Sequence, residues 1–238
     1  MKIDLFIPCY IDQFRPETAF NMIKVLEKAG CTVSYNIEQT CCGHAAFNAG
    51  NWNDAREVGE KLLREVSNNM MVCPGATCVG MIRNSYDLLF QNSSFHNKYR
   101  QLQKRTFELS EFLVDVLKVT DLGSILFGKA TFHDCCHAIN DCKIKTQPRE
   151  LLKNVKGLEL VEMKDCEACC GFGTTFSVRH ESASIAMAEQ KVENAMATGA
   201  EYLISTDYSC LLHMDSYIKK KGLSLKTYHL ADVLAQGL

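Results

Sequence analysis

Two stretches built on adjacent cysteines, Cys41-Cys42-Gly43 and Cys169-Cys170-Gly171-Phe172-Gly173, decide how the rest of the chain is interpreted. Each vicinal pair lies between two outlying cysteines, which are Cys9 and Cys78 in the first half and Cys136 and Cys210 in the second. The separations are 31 and 35 residues in the first half and 32 and 39 residues in the second. Adjacent cysteines rarely bond to each other, but both can bind one metal centre. The spacing therefore predicts a duplicated metal or iron–sulfur module.

A glycine follows each vicinal pair, and it has a mechanical purpose. Two neighbouring side chains can face one centre only where the backbone turns sharply, and Gly43 and Gly171 permit such a turn because glycine has no Cβ. Gly173 adds room for a close approach of the backbone. The glycines therefore support a shared centre at each pair.

The composition of the 238 residues is that of an ordinary globular protein, with 47% hydrophobic and 23% charged residues. A net charge of −2 gives no electrostatic reason to expect a nucleic acid or an anionic membrane as a partner. No apolar run approaches the ~20 residues that span a bilayer. Residues 1–7 carry an acid within their apolar run, which favours a buried first strand over a secretion signal. We therefore expect a cytoplasmic protein whose thirteen cysteines are thiols or metal ligands.

Strands and helices alternate in both halves. The first half has predicted strands at 3–7, 32–35 and 70–73 and predicted helices at 16–29 and 53–66. The second half has predicted strands at 130–133, 158–161, 202–205 and 225–228 and predicted helices at 148–155, 182–197 and 230–234. This alternation predicts an α/β fold of two pseudo-symmetric Rossmann-like βαβ halves with small parallel sheets. The patterned cysteines then fall at the carboxyl ends of strands or at the following turns, where open α/β sheets bind ligands.

The segment between the halves is predicted to be largely helical. Residues 99–117 are too rich in apolar side chains for a disordered tether. We therefore expect a first module at 1–83, a helical bridging segment at 84–128 and a second module at 129–238.

The cysteine spacing predicts which residues bind metal but leaves the metal open. Thiolates are the usual ligands of iron–sulfur clusters and of structural zinc, and both usually take four. The outlying cysteines lack the close C-x2-C pairs of zinc fingers and bacterial ferredoxins, so a folded scaffold must bring distant strand ends together. The predicted ligands are Cys9, Cys41, Cys42 and Cys78 for one centre and Cys136, Cys169, Cys170 and Cys210 for the other.

Further motifs extend the pattern beyond the cysteines: Leu5-Phe6-Ile7-Pro8-Cys9, Ala46-Phe47-Asn48-Ala49-Gly50, Lys156-Gly157-Leu158, Thr175-Phe176-Ser177-Val178 and Thr198-Gly199-Ala200-Glu201. With these motifs the chain resembles, over nearly its whole length, the cysteine-rich CCG domain family. That family includes a cysteine-rich component of heterodisulfide reductase and the iron–sulfur subunit of glycolate oxidase. The resemblance is greatest to its stand-alone group, which belongs to a three-protein bacterial system for L-lactate oxidation. It implies iron–sulfur electron transfer in a lactate-oxidising complex, with a ferredoxin-type iron–sulfur protein among the partners.

The chain departs from the family at the last position of each module. The full family motif ends in Cys-x-x-Cys and has five cysteines, whereas Met81 and His213 occupy the final positions here. With four cysteines, the resemblance implies an ordinary [4Fe–4S] cluster or a different metal, and it argues against the thiol–disulfide chemistry of heterodisulfide reductase. Met81 is predicted to pack in the core, since a thioether is a poor ligand for cluster iron. His213 is an additional candidate ligand.

The remaining cysteines have no counterpart in the other half, and we expect them to be core residues or neighbours of a centre: Cys31, Cys73, Cys135, Cys142 and Cys166. Of these, Cys73, Cys135 and Cys166 are candidates to replace a ligand in a crowded site. Histidines near a cluster usually hydrogen-bond a sulfur or tune its potential, and this is the expected role of His133 and His137. For His44 the same role and a plain polar surface position both stay open.

No flavin or nicotinamide fingerprint is visible, because Gly171-Phe172-Gly173 lacks the rest of G-x-G-x-x-G. Hydride transfer from lactate would therefore need a partner, such as a flavoprotein. The leading hypothesis is an electron-transfer subunit of an oxidoreductase complex, with no catalytic residue of its own assigned. Two alternatives stay open: a zinc-binding structural or scaffold protein, and a thiol–disulfide enzyme like heterodisulfide reductase.

Overall fold

The structure is a computed structural model that describes residues 1–238, and it contains two four-stranded parallel sheets. The strands are β1 (Lys2–Leu5), β2 (Thr32–Tyr35), β3 (Met70–Cys73) and β4 (Thr106–Glu108) in one sheet, and β5 (Ile125–His133), β6 (Lys156–Leu160), β7 (Tyr202–Ser205) and β8 (Lys226–His229) in the other. Their spatial orders are β2-β1-β3-β4 and β6-β5-β7-β8, with every pair parallel. The predicted α/β class with two similar halves is confirmed.

Helices connect the strands. Those before β5 are α1 (Cys9–Phe14), α2 (Pro16–Lys28), α3 (His44–Asn48), α4 (Trp52–Glu65), α5 (Ala76–Gly80), α6 (Tyr86–Phe90), α7 (His96–Gln103) and α8 (Leu109–Glu111). Those after β5 are α9 (Gln147–Lys153), α10 (Phe176–Arg179), α11 (Glu181–Met196), α12 (Tyr208–Lys221) and α13 (Leu230–Leu234). Three π-helical turns occupy Met81–Ser85, Phe112–Val116 and Ala138–Cys142. Two of these turns closely follow predicted ligands, which agrees with the frequent occurrence of π-turns at functional sites.

The segment 84–128, expected to be largely helical, contains a strand that was not predicted. β4 lies beside β3, with Phe107 opposite Val72, and the amide of Met71 donates to the carbonyl oxygen of Arg105 at 2.8 Å. Only three residues long, β4 falls within an apolar pattern of helical spacing, so its conformation comes from pairing with β3 and not from its own sequence. In the same region, β5 begins at Ile125, five residues earlier than the strand predicted at 130–133.

The two halves share their hydrophobic core. One group of buried side chains joins Cys42 and Cys78 of the first half to Cys170 and Cys210 of the second. A second group likewise contains residues of both halves, including Ile3 of β1, Leu26 of α2, Ile204 of β7 and Leu230 of α13. The vicinal cysteines therefore lie at the junction of the two sheets and not on separate lobes. No helix is both long enough and apolar enough to cross a membrane.

Candidate metal centres

The first vicinal pair lies between the carboxyl ends of β1 and β3, where the other predicted ligands of its half are found. Cys9 opens α1 directly after β1, and Cys78 lies in α5 shortly after β3. The Sγ atoms of Cys9 and Cys41 are 3.8 Å apart, and those of Cys42 and Cys78 are 3.3 Å apart. Cys73, the last residue of β3, is fully buried, and its proximity to Cys78 helps to raise the pKa of that thiol. This group of five thiols is called the first cluster.

The second cluster is built in the same way at the carboxyl ends of β5 and β7. The Sγ atoms of Cys170 and Cys210 lie within 4.8 Å of each other, and the proximity of Cys136 lowers the pKa of Cys169. The Sγ atom of Cys135 lies 3.9 Å from that of Cys210. The structure thus brings together the four predicted cysteines of this half and adds Cys135 as a fifth thiol.

The two Cys-Cys-Gly turns have nearly the same backbone geometry. The amide of Gly43 donates to Cys41 Sγ and the amide of Gly171 donates to Cys169 Sγ, at 3.4 Å in both cases. The φ angles of the two glycines are +86° and +87°, which is the left-handed region that L side chains rarely adopt. A Cβ atom at Gly171 would also lie 2.7 Å from the carbonyl oxygen of Ser184. Only glycine fits this position without displacing the backbone of α11.

One thiol of each vicinal pair is strongly favoured as a thiolate. Hydrogen bonds from Cys42 and Cys9 lower the pKa of Cys41 to about 2. Cys169 also has a pKa of about 2, because it accepts hydrogen bonds from Cys136 and from its own vicinal partner. The same interactions raise the pKa of Cys9, Cys42 and Cys136. A metal must displace protons from these remaining thiols, so metal binding by either cluster releases protons.

His44 and His137 face each other across the junction of the two halves. Their ring centroids are 4.9 Å apart and the rings are nearly perpendicular. Burial and the charge of His137 lower the pKa of His44 to about 4. Burial also disfavours the charged form of His137, but the nearby Cys135 thiolate and Asp141, 2.5 Å away, raise its pKa overall. At neutral pH the pair therefore consists of a neutral imidazole beside a more basic one.

Three residues of the second half place charge or nitrogen close to the sulfur atoms. His133, the last residue of β5, is fully buried, and a ring nitrogen lies within 4.8 Å of the Sγ atoms of Cys170 and Cys210. Asp207 lies within 4.8 Å of the second cluster and accepts a hydrogen bond from the amide of Thr77 in the first half at 3.0 Å. Lys191 is 2% exposed, and its ammonium donates to two backbone carbonyl groups.

Sequence reasoning did not find Asp207 or Lys191. Asp207 has the sequence signature of a helix N-cap, and it is one, since its side chain accepts from the amide of Ser209. Lys191 lies in α11, where a lysine is normally solvated. The feature of the sequence that could have indicated a place near the second cluster is the position of Asp207, shortly after the strand that leads to Cys210.

His213 is connected to the second cluster through the hydroxyl of Ser184. Its Nε2 atom is 3.1 Å from Ser184 Oγ, and that hydroxyl donates to the carbonyl oxygen of Gly171 at 2.8 Å. In this structure His213 therefore supports the Cys-Cys-Gly turn through Ser184.

Packing explains the positions of Met81 and of the remaining cysteines. Met81 is 1% exposed in the shared core, as expected. Cys31 packs in the other buried group, away from both clusters, and Cys142 donates to the carbonyl oxygen of Ala76 at 3.6 Å. Cys166 packs at the edge of the core that contains both vicinal pairs.

A narrow cavity separates the first cluster from the loop after the second vicinal pair. Its volume is about 40 Å³, and it is lined by Cys9, Cys41 and His44 on one side and by Phe172 and Asp207 on the other. Such a volume holds a few water molecules. Residues of both halves therefore line the space beside the first cluster.

The arrangement of two Cys-Cys-Gly turns between strand ends matches a known pattern over most of the chain. Residues 3–83 and 130–215 match the family described as "Cysteine-rich domain", CCG. The chain belongs to the CCG family. Curated CCG relatives named "Lactate utilization protein A" include one from Geobacillus sp. (strain WCH70), 38% identical over 236 residues, covering 98% of this chain and 99% of the relative. Another, from Halalkalibacterium halodurans, is 38% identical over 98% of this chain and 96% of its own length.

A solved structure supports the fold of this CCG protein. A hypothetical protein from Helicobacter pylori superposes with a TM-score of 0.68 at 13% identity, and the match covers 100% of this chain and 49% of that one. At this identity the likeness shows the α/β fold alone.

Proposed function

We propose that this CCG protein is a cytoplasmic iron–sulfur electron-transfer subunit of a system that oxidises L-lactate or a related 2-hydroxy acid. The observation that carries the proposal is the convergence of five cysteine thiols at the strand ends of each half. Thiolates are the ligands of iron–sulfur clusters, and no single nucleophile needs so many neighbours. The relatives named for lactate utilization support the choice of substrate.

The donor sets fit such a group. Cys9, Cys41, Cys42 and Cys78 would hold it in the first half, and Cys136, Cys169, Cys170 and Cys210 in the second. A bound [4Fe–4S] cluster supplies one-electron oxidation and reduction.

The chain buries four of the eight proposed ligands, leaves the other four partly exposed, and places charges near the sulfur atoms. Near the second cluster these charges are the ammonium of Lys191 and the carboxylate of Asp207, both almost fully buried. Such groups set the potential at which an electron enters and leaves. The electron-transfer proposal therefore assigns tuning roles to both residues.

The partners are inferred from a step of the reaction for which this chain has no sequence motif. Lactate oxidation removes two electrons as a hydride, which requires a flavin or nicotinamide, and the sequence has no fingerprint for either. We therefore propose a flavoprotein that takes the hydride and a ferredoxin-type iron–sulfur protein that exchanges single electrons with this chain.

The proposal is tested by anaerobic purification, iron and acid-labile sulfide analysis, and EPR of the reduced protein. We expect iron and sulfide in the wild type, loss of one centre in Cys41→Ser/Cys42→Ser, and loss of the other in Cys169→Ser/Cys170→Ser. Cys31→Ser is the matched control, since Cys31 lies away from both clusters. Zinc without sulfide, or a protein that stays colourless after iron and sulfide loading, would refute the proposal.

One observation favours the zinc alternative. The Sγ separations of 3.3 Å to 3.9 Å are close to the edge of a sulfur tetrahedron around one zinc ion, about 3.8 Å for bonds of about 2.3 Å. Such a site would make the protein a structural or scaffold component. The metal analysis above decides between the two, and an assay of the iron-loaded protein for heterodisulfide reduction tests the thiol–disulfide alternative.

A further inference from the structure

His133 is a buried polar residue whose ring has no partner in the protein. It ends β5 opposite Ser205 of β7, its exposure is 0%, and neither Nδ1 nor Nε2 makes a hydrogen bond. Buried polar atoms are nearly always satisfied, and leaving one unsatisfied costs free energy. An imidazole with two unsatisfied nitrogens therefore indicates a partner that is not part of the polypeptide.

The nearby polar groups are engaged elsewhere. The hydroxyl of Ser205 donates to the backbone carbonyl oxygen of His133 at 3.0 Å and not to its ring. The adjacent Asp134 accepts two hydrogen bonds from Arg149, both of 2.8 Å. The ammonium of Lys191 donates to backbone carbonyl groups.

Sulfur atoms of the second cluster lie close to the ring of His133. One ring nitrogen of His133 and the Sγ atoms of Cys170 and Cys210 all lie within 4.8 Å of one another. Neutral imidazole and thiolate are both common ligands of zinc and of iron, and histidine replaces cysteine on one iron of Rieske centres. The three atoms are therefore placed to bind one metal site.

The first half has a different residue at the equivalent place. His133 stands three residues before Cys136, and Phe6 stands three residues before Cys9. Phe6 is 1% exposed and packs in the same core as Cys42. The two halves therefore share a cysteine pattern but not this donor.

We propose that His133 binds the metal of the second centre through a ring nitrogen, beside Cys170 and Cys210, and that the first centre has sulfur ligands only. The proposal deepens the electron-transfer function and requires only that the second cluster binds a metal. The imidazole would replace one of the four thiolates named above for the second centre, which makes that centre less negative, so the two centres would differ in reduction potential, with the second one higher.

The test uses full-length protein with 15N-labelled histidine imidazole, loaded anaerobically with iron and sulfide and then reduced. Pulsed EPR should show a directly coordinated 15N nucleus in the wild type. The coupling should be lost in His133→Phe, which copies the residue of the first half, and retained in His137→Asn. A wild type without this coupling, or a His133→Phe variant that keeps it, contradicts the proposal. The wild-type spectrum decides even if the variant does not fold.

A second probe separates this proposal from the proposed function. The same labelled protein, loaded with 113Cd²⁺ alone, should give one cadmium resonance split by 15N and one without splitting. The splitting supports His133 ligation even if iron and sulfide do not bind, in which case only the electron-transfer function fails. Two unsplit resonances contradict His133 ligation whatever the result with iron.

Discussion

Gly171 is a single residue that sets the geometry of the second centre. Its φ is +87°, and an added Cβ would lie 2.7 Å from the Ser184 carbonyl oxygen. We expect Gly171→Ala to lower the free energy of unfolding by about 3 kcal/mol, with roughly 1 kcal/mol from the left-handed φ and the rest from displacement of α11. The variant should also bind less metal at the second centre. Urea unfolding and metal analysis measure both effects.

Gly199→Ala is the matched control for this prediction. Gly199 has a φ of +71°, but nothing lies within 4 Å of the position of its Cβ. The substitution should cost only about 1 kcal/mol, the conformational part of the effect. Equal losses in both variants would show that contact with α11 is unimportant.

The cysteine spacing did not predict the fifth thiol of each cluster. The cysteines with repeated spacing lie near one another in each half, because the spacing reflects a repeated fold. Cys73 ends β3, whereas Cys135 follows β5, so the two have no common position in the repeat. Their side chains point to the clusters only because of the local backbone direction at each strand end. For the same reason the sequence led us to expect that His133 tunes the cluster without binding its metal.

At the scale of one element, the short helix α8 depends on a buried carboxyl group. Glu108 is 0% exposed, and its side chain accepts hydrogen bonds from the amides of Ser110 and Glu111 at 2.7 Å and 3.2 Å. Burial raises the pKa of Glu108 from 4.5 to about 7 despite these bonds. Between these values the folded state binds more protons than the unfolded state, so stability falls as the pH rises from 4.5 to 7.

Glu108→Gln should remove this pH dependence. The amide keeps an acceptor for the helix start but does not ionise, so the variant should gain stability relative to wild type as the pH rises, by up to about 3 kcal/mol above pH 7. Urea midpoints of both proteins at pH 4.5, 6 and 8 measure the difference, and the comparison cancels the titration of other groups. A constant difference across the series would contradict the prediction.

The longer elements were predictable because their side-chain periodicity is strong. The helices predicted at 16–29, 53–66 and 182–197 are observed at Pro16–Lys28, Trp52–Glu65 and Glu181–Met196. The apolar residues of α2, for example, recur at helical spacing and bury one face. Short elements such as β4 were not predictable, because three residues carry too little pattern and the neighbouring strand determines their conformation.

At the scale of the molecule, many contacts join the two halves of the sequence repeat. Besides the shared core, hydrogen bonds connect the halves. Thr18 and Asn21 of α2 donate to the two carboxylate oxygens of Asp232 in α13, at 3.0 Å and 2.9 Å. His229 Nε2 donates to the carbonyl oxygen of Pro74 at 2.8 Å. We propose that the modules at 1–83 and 129–238 repeat a structure but do not fold independently.

The single tryptophan, Trp52, lies in the first half, so its fluorescence can report whether a substitution in the second half also destabilises the first. Asp232→Ala in the second half leaves the Thr18 hydroxyl and the Asn21 amide without their acceptor, which should cost about 2–3 kcal/mol. For a chain of this size, the midpoint should fall by about 5–8 °C.

The midpoint temperature should fall by the same amount when it is measured by far-UV circular dichroism and by Trp52 fluorescence, because both halves of a cooperative molecule unfold together. Asp215→Ala is the control. Asp215 forms an ion pair with the largely exposed ammonium of Lys219 and accepts a hydrogen bond from Thr227 at 3.2 Å, both within the second half, so its loss should cost only about 1 kcal/mol. If Asp232→Ala shifted the circular dichroism midpoint and left the Trp52 midpoint in place, the halves would be separate folding units. The buried junction that holds both clusters would then open without global unfolding.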